Sequence, residues 1–433
     1  RLDGLGTQPE KRVIATAAKD KARASKAKRP WSKGAMRLTF SLDHHLGAIR
    51  LLLATFVVAA VLAACGAPGG GGGGPGSAGI TGSTGTVKVA LLLPITASGS
   101  TPAIAKALKQ AAELALFDFD NPNVTLVPKD TRGTPDGARA AAESAIHDGA
   151  ELIIGPLFAQ EVSGAAPVTR QAGIPMIAFS SDEKVAGNGV YLLSFLAGRD
   201  VPRIVSFAMS RGKRNFAQLI PQSPYGRIAE AAFAKAVSAG GGQAAVRATF
   251  PPDDSNAMLG PVRQIANAIT GGQPADALFL PAGRDELPSL APLLASADLT
   301  SRRVQFIGTG QWDYPNIGGE KALIGGWYPA PDPKGWSNFT QRYAKTYGAV
   351  PPRLASLAYD AVSLAVSLSQ NPQGERYASA QLTRASGFAG VDGLFRLLPD
   401  GTCERGLAIL EMREGGPQVI DPAPSSFATA SSY

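Results

Sequence analysis

Short apolar runs alternate with longer alanine-rich stretches along most of the chain. The first run, residues 87–93, is interrupted only by Lys88, and residues 103–117 behind it have a helical composition. Continuous apolar strands separated by helices of about 10 to 15 residues are typical of a parallel sheet covered by helices on both faces. The pattern therefore predicts an α/β fold.

The alternation runs to residue 179 and starts again after Arg203. It predicts further strands over residues 124–127, 152–154, 175–179, 215–220, 243–250, 277–280 and 304–307. It predicts further helices over residues 135–147, 162–172, 225–239, 256–270 and 287–297. We expect two similar lobes, each a parallel sheet covered by helices.

The ligands of open α/β sheets bind beyond the carboxyl ends of the strands. Two such lobes that face each other form a cleft, which the loops after their strands line. These loops are residues 94–100, 155–158 and 180–183 in the first lobe and residues 221–226, 281–284 and 308–313 in the second. The sequence thus predicts that a ligand is bound between the lobes.

An export signal precedes the α/β pattern. Residues 36–65 contain a basic start, an apolar run at 51–61 and a small-residue cleavage site. The site reads Leu62-Ala63-Ala64-Cys65 and resembles the bacterial lipobox, which predicts a lipoprotein signal peptide with Cys65 as the lipidated residue. The resemblance to such lipoproteins also implies the outer membrane of a Gram-negative cell, because Gly66 rather than an Asp follows the Cys. Several acyl chains would make the anchor stable.

Two further segments flank this signal. Residues 1–35 are rich in Lys, Arg and Ala, and they are either a basic disordered arm or upstream sequence behind a mistaken start. Residues 66–86 contain 11 glycines. Such a segment is a flexible linker that spans roughly 25 Å and holds the domain off the membrane.

Composition argues against several classes of function. The formal net charge of +8 lies entirely in residues 1–65, and the rest of the chain is neutral, which argues against binding of nucleic acid. The chain has 3 His and 2 Cys, which do not supply a transition-metal site of the usual spacing. His147 is the only histidine outside the signal region, and it lies near a predicted helix end. We expect no enzyme activity, no cofactor and no metal.

Motifs spread over residues 87–415 resemble the type I periplasmic binding proteins, the branch that includes leucine/isoleucine/valine-binding proteins. The motifs that carry the resemblance are Leu91-Leu92-Leu93-Pro94, Val127-Pro128-Lys129-Asp130-Thr131, Ile154-Gly155-Pro156-Leu157, Ile174-Pro175-Met176-Ile177-Ala178-Phe179-Ser180, Pro224-Tyr225-Gly226, residues 339–348 and Ala358-Tyr359-Asp360-Ala361. The resemblance implies two lobes joined by a multi-strand hinge. It also implies a periplasmic protein that delivers an amino-acid-like or amide ligand to an ABC permease.

The chain crossings that the family fold implies fall near Asp200, Ile324 and Val391. The first lobe would then be residues 87–200 plus 325–391, and the second 201–324 plus 392–420. Residues 421–433 are expected to be a disordered tail.

Within the branch, residues 155–162 and 179–193 look most like the lipoproteins named penicillin-binding-protein activators. The alternative function is therefore a protein-interaction module that regulates peptidoglycan synthases and keeps a vestigial cleft. The chain has only a glycine-rich linker where the known activator has a helical-repeat domain.

The loops after the buried strands and the family resemblance together give the candidate ligand-binding residues. In amino-acid binders of the family, the loop at Ser180 and the loop after Gly155 hold the α-carboxylate, while Asp182 could pair with an α-ammonium. The full candidate set is Gly155, Leu157, Phe158, Ser180, Ser181, Asp182, Tyr225, Arg284, Gln311 and Trp312. The alternative is that Ser180 and Ser181 merely cap the next helix and that Asp182 is a solvated capping residue.

Overall fold

The computed structural model of the protein describes residues 86–120 and 122–427. The basic arm (1–35), the signal peptide with Cys65 (36–65) and nearly all of the linker (66–86) lie outside the described residues. In the part of the chain that is described, no helix has both the length and the apolar character needed to cross a membrane.

Strands and helices alternate as the hydrophobic pattern predicts, and from residue 190 onward the structure adds several elements that the pattern does not predict. The strands are β1 Val87–Leu93, β2 Val124–Asp130, β3 Leu152–Ile154, β4 Met176–Ala178, β5 Val190–Leu192, β6 Asn215–Pro221, β7 Gln243–Phe250, β8 Ala277–Phe279, β9 Gln305–Ile307, β10 Trp327–Ala330, β11 Phe388–Gly390, β12 Gly393–Leu397, β13 Cys403–Arg405, β14 Ala408–Glu411 and β15 Gln418–Asp421. The helices are α1 Thr101–Phe117, α2 Pro135–His147, α3 Ala159–Ala172, α4 Val201–Ser210, α5 Pro224–Ala239, α6 Leu259–Thr270, α7 Leu287–Ser296, α8 Pro333–Tyr347, α9 Ala355–Leu368 and α10 Ser379–Leu382.

Two large sheets form the two lobes. The first sheet is fully parallel, with the strand order β2-β1-β3-β4-β5. The second has the order β15-β14-β10-β9-β8-β6-β7, in which β7, β6, β8, β9 and β10 run parallel and repeat the order of the first sheet. Strands β14 and β15 add an antiparallel edge. The prediction of two similar parallel-sheet lobes is confirmed.

Helices bury both faces of each sheet. Strand β1 is buried along its whole length except at Lys88, as expected for a central parallel strand. In the first lobe, α1 packs closely on α9, and α2 on α3. In the second lobe, one apolar cluster lies under α4 and α5 and another under α6 and α7.

The chain crosses between the lobes at places that differ from two of the three predicted ones. The first crossing lies at residues 193–200, between β5 and α4. The second follows β10, which pairs with β9 and β14 of the second sheet, so residues 325–330 belong to the second lobe rather than the first. The third lies at residues 406–407, because the small antiparallel sheet β11-β12-β13 packs into the core of the first lobe. These short strands are placed by partners that are distant in sequence, which a local pattern does not show.

The end of the chain also differs from the prediction of a disordered tail at 421–433. Asp421 ends β15, and Phe427 is buried at 1% exposure. The guanidinium of Arg396 lies 4.5 Å from the centroid of the Phe427 ring. Residues 422–427 therefore pack on the fold, while residues 428–433 lie outside the described part.

Candidate functional site

The three crossings form the base of a cleft between the lobes, and a cavity of about 360 Å³ lies against them. Each crossing contributes wall residues, and so do the start of α5, the loop after β9 and the start of α9. The wall consists of Ser181, Ser194, Phe195, Leu196, Ala197, Arg199, Asp200, Tyr225, Gly310, Gln311, Asp313, Pro329, Ala330, Pro331, Arg353, Cys403, Arg405 and Leu407. The cavity is thus shared by both lobes, but it lies nearer the hinge than the strand-end loops suggested.

Three of the ten predicted site residues line this cavity. They are Ser181 of the first lobe and Tyr225 and Gln311 of the second. The other seven do not line it, for reasons that differ between the loops.

The loop at Gly155 is held inside the first lobe. Gly155 has a φ of +89°, and a Cβ at this position would lie 2.2 Å from the carbonyl oxygen of Leu92. Leu157 is buried, and Phe158, although partly exposed, donates its backbone N–H to Glu161 Oε2 at 2.9 Å. Glu161 is itself buried, which raises the pKa of its carboxyl group. The three predicted residues of this loop therefore do not line the cavity, and their contribution to a ligand site stays a prediction.

Ser180 and Asp182 serve the local backbone. Ser180 is 5% exposed, and its Oγ accepts the N–H of Asp182 at 3.1 Å. Asp182 Oδ1 accepts the N–H of Lys184 at 3.1 Å and caps a short 3₁₀ turn. Asp182 thus caps this turn, as the alternative holds, while Ser180 stabilises the backbone just before it, and Ser181 is the residue of this loop that lines the cavity.

In the second lobe, Tyr225 lies at the start of α5 and donates its hydroxyl to Thr309 Oγ1 at 2.7 Å. Trp312 is 0% exposed, and its Nε1–H donates to the carbonyl oxygen of Leu280 at 3.1 Å. Trp312 belongs to the apolar core of the second lobe and does not line the cavity, because the 3₁₀ turn at Gly310–Trp312 directs its side chain into that core. Arg284 is exposed and lies outside the cavity wall.

The charged residues of the wall were not predicted from the sequence. Arg353, just before α9, forms an ion pair with Asp392 Oδ1 at 2.6 Å, and its guanidinium lies 4.5 Å from the ring of Trp336. Arg405 lies 4.7 Å from the ring of Phe195. The one signal that could have pointed to Arg353 is its place as a single basic residue directly after two prolines and before a largely apolar helix.

Burial changes the titration of the carboxyl groups around the cavity. Asp200 Oδ2 accepts the N–H of Gly310 at 2.5 Å, yet burial raises the pKa of Asp200. Burial also raises the pKa of Asp313, which Arg353 partly offsets. Behind the wall, burial together with Asp392 raises the pKa of the fully buried Asp360 to about 7. Burial thus favours the protonated forms of these three carboxyl groups.

The chemistry of the wall is that of a binding site. Cys403 is a buried free thiol whose pKa is raised by burial, and its Sγ contacts the carbonyl oxygen of Ser194 at 3.3 Å, so it is not an activated nucleophile. Among residues 86–120 and 122–427, no group of three His, Cys, Asp or Glu side chains could hold a metal ion. What remains is a cavity with apolar, aromatic and charged walls contributed by both lobes.

The architecture matches known binding proteins. A family described as periplasmic binding protein matches residues 86–417. A structure from Rhodospirillum rubrum, provisionally assigned as a branched-chain amino acid ABC transporter, superposes with a TM-score of 0.68 at 20% identity over 77% of this chain and 100% of that one. A branched-chain amino acid ABC transporter periplasmic ligand-binding protein from Burkholderia xenovorans superposes with a TM-score of 0.60 at 17% identity. The match covers 77% of this chain and 94% of that one.

A solute-binding protein from R. palustris in complex with benzoate gives a TM-score of 0.52 at 18% identity, over 79% of this chain and 98% of that one. At these identities the structural matches show the fold. A comparison with curated protein sequences finds no match.

Proposed function

The chain belongs to the periplasmic binding protein family, and from this membership we propose that it captures a small amino-acid-like or amide ligand in the cavity and delivers it to an ABC importer. Family membership confirms the prediction of a binding protein rather than an enzyme, and it places the protein on the periplasmic side of the envelope. The ligand and the importer are the parts that we propose.

The observation that carries the proposal is the cavity that both lobes share at the three crossings. Its volume of about 360 Å³ falls within the range of roughly 300 to 1,000 Å³ that is usual for small-molecule sites. A ligand that touches both lobes favours the closed arrangement over the open one, because only that arrangement supplies all of its contacts. Such closure is how a two-lobed protein can report occupancy to a membrane partner.

The relatives support a small organic ligand. Two of the structures described above are named for branched-chain amino acid transport, and the third holds benzoate. An amino-acid-like ligand fits this set and fits the apolar residues Phe195, Leu196 and Leu407 in the wall.

We also propose that Cys65 is lipidated and tethers the protein to the envelope, with the outer membrane as the favoured site. Support for this comes from the lipobox in the sequence. Metabolic labelling with an alkyne fatty acid should mark the wild-type protein and leave Cys65→Ser unmarked. Equal labelling of both would exclude lipidation at this residue.

A screen of the purified protein tests the function. Thermal unfolding is followed in the presence of single amino acids, amino-acid amides, benzoates and, as an unrelated class, sugars. A ligand present at about 100 times its Kd stabilises the folded state by roughly 2.7 kcal/mol, which a melting curve detects. If no compound of any class raises the melting temperature while a penicillin-binding protein co-purifies with the chain, the regulator of peptidoglycan synthesis replaces this proposal.

A further inference from the structure

Arg353 is the cavity residue whose surroundings hold it in place while leaving part of it open. Its Nη1 pairs with Asp392, a residue that is fully buried and also accepts the hydroxyl of Ser356 at 2.7 Å. One face of the guanidinium lies against Trp336. The side chain nevertheless keeps 32% of its surface exposed. Such a cation is oriented by the protein before any ligand arrives.

The second terminal nitrogen of Arg353 lacks a good partner on the opposite lobe. Nη2 is 3.9 Å from Asp313 Oδ2, which is too long for a hydrogen bond. Burial raises the pKa of Asp313, so this carboxyl is a poor counter-ion. Nη2 can therefore donate to a group that enters the cavity between the lobes.

The rest of the wall also favours an anion. Arg353 and Arg405 lie on the same Phe195 ring, 5.6 and 4.7 Å from its centroid. Arg405 Nη1 and Nη2 are buried and have no hydrogen-bond partner in the described part of the chain, so Arg405 contributes positive charge to the wall rather than a direct contact with a ligand. A guanidinium stays charged at physiological pH, whereas burial disfavours the charged forms of Asp200 and Asp313. A negative ligand group would give the exposed part of Arg353 the partner that Asp313 does not provide.

Building on the proposed function, we propose that Arg353 selects ligands that carry a carboxylate and rejects their neutral amides. The planar fork of a guanidinium matches the two oxygens of a carboxylate. The neighbouring residues Phe195, Leu196 and Ala197 make the adjoining wall largely apolar, which suits a compact hydrocarbon or aromatic body. Recognition of the acid group thus moves from the predicted Ser180 loop to the start of α9.

Matched pairs of probes test the selection without altering the protein. Isothermal titration compares L-leucine with L-leucinamide, benzoate with benzamide, and 4-methylpentanoate with its amide. The best carboxylate should bind about 10- to 100-fold more tightly than its amide, since hydrogen bonds between charged partners account for a difference of this size. An amide that binds within about 3-fold of its carboxylate overturns the assignment.

Variants then locate the effect. Arg353→Gln should weaken the binding of the best carboxylate about 10- to 100-fold and bring its affinity close to that of its amide. Arg353→Lys keeps the charge beside Asp392 and so protects the fold, but it loses the fork and should recover only part of the affinity. The control is Arg342→Gln, because Arg342 also combines an ion pair, with Asp118, and a ring contact, with Tyr359, away from the cavity.

The outcomes separate this inference from the proposed function. If neutral amides bind well, or if Arg353→Gln retains the wild-type affinity, the inference fails while the binding function stands. If no compound of any class binds, the proposed function fails and takes the inference with it. Loss of binding in Arg342→Gln as well would mean that the Arg353 effect is not local, which also refutes the assignment.

Discussion

The two lobes support the cavity wall in different ways. The first lobe uses a polar network, in which the fully buried Asp360 and Asp392 lie beneath Arg353 and Arg405. The second lobe uses an aromatic core, in which Trp312 packs 5.9 Å from the ring of Tyr328 and fills the space beside Gly308. A polar network fixes the direction of charged groups at the cost of desolvating them, whereas an aromatic core holds a loop without regard to charge. We therefore expect the two walls to respond differently to substitution and to pH.

The largest expected effect is on the second lobe. Trp312→Ala should lower the free energy of unfolding by about 3 to 5 kcal/mol, because it empties a fully buried site. Urea denaturation measures this loss. Trp312→Phe keeps much of the packing and should lower the free energy of unfolding by a smaller amount. If Trp312→Ala instead leaves stability within about 1 kcal/mol and abolishes ligand binding, Trp312 contacts the ligand as the sequence analysis predicted.

The next largest expected effect is a pH dependence of the free energy of unfolding, which arises in the first lobe. In the folded protein the pKa of Asp360 is about 7, whereas an aspartate in an unfolded chain titrates near 3.9. Between these values the folded state holds the proton more tightly, so this group makes the free energy of unfolding fall as pH rises from about 4 to about 7. The slope should reach at most about 1.4 kcal/mol per pH unit.

Asp360→Asn removes this contribution. Urea denaturation at several pH values should show wild-type stability falling, relative to the variant, across that window and levelling above it. For the second lobe, the difference in the free energy of unfolding between the wild type and Trp312→Phe should stay constant over the same pH range. A flat difference for Asp360→Asn would show that the carboxyl is ionised throughout and that its charge is compensated by Arg405.

The smallest effect separates two neighbouring serines. Ser181→Ala should weaken the binding of the best ligand by up to about 10-fold, because Ser181 lines the cavity and a net hydrogen bond is worth about 1 kcal/mol. Ser180→Ala should leave the affinity within about 2-fold, because the Ser180 hydroxyl is engaged by the N–H of Asp182. Titration calorimetry compares the two variants. The reverse order would restore Ser180 as the carboxylate contact.

Much of the fold could be predicted from the sequence because its signals are local. Strands β1, β3 and β7 and helix α2 begin and end at the predicted residues, since apolar runs and helix starts such as Thr134-Pro135 are written in neighbouring positions. Helix α4, strand β5 and the elements after residue 307 were not predicted. Several of these strands have only 3 or 4 residues, too few for a period to show.

The candidate site could be predicted only in part. Ser181, Tyr225 and Gln311 were found because they follow buried strands, whose ends meet at the cleft. Trp312 also follows such a strand, but a single turn directs its ring into the core. Whether a side chain in a short loop faces the cavity or the core depends on its neighbours in space.

By itself, the sequence determined the class of fold, the repetition of its lobes and the region of the cleft, since apolar periodicity reports which face of each element is buried. The tertiary structure alone decided which charges line the cavity. Arg353 and Arg405 are 52 positions apart in the chain, and they meet at one Phe195 ring only because the chain returns twice to the hinge. Those returns depend on pairings between distant short strands, and no local pattern of residues encodes the path between them.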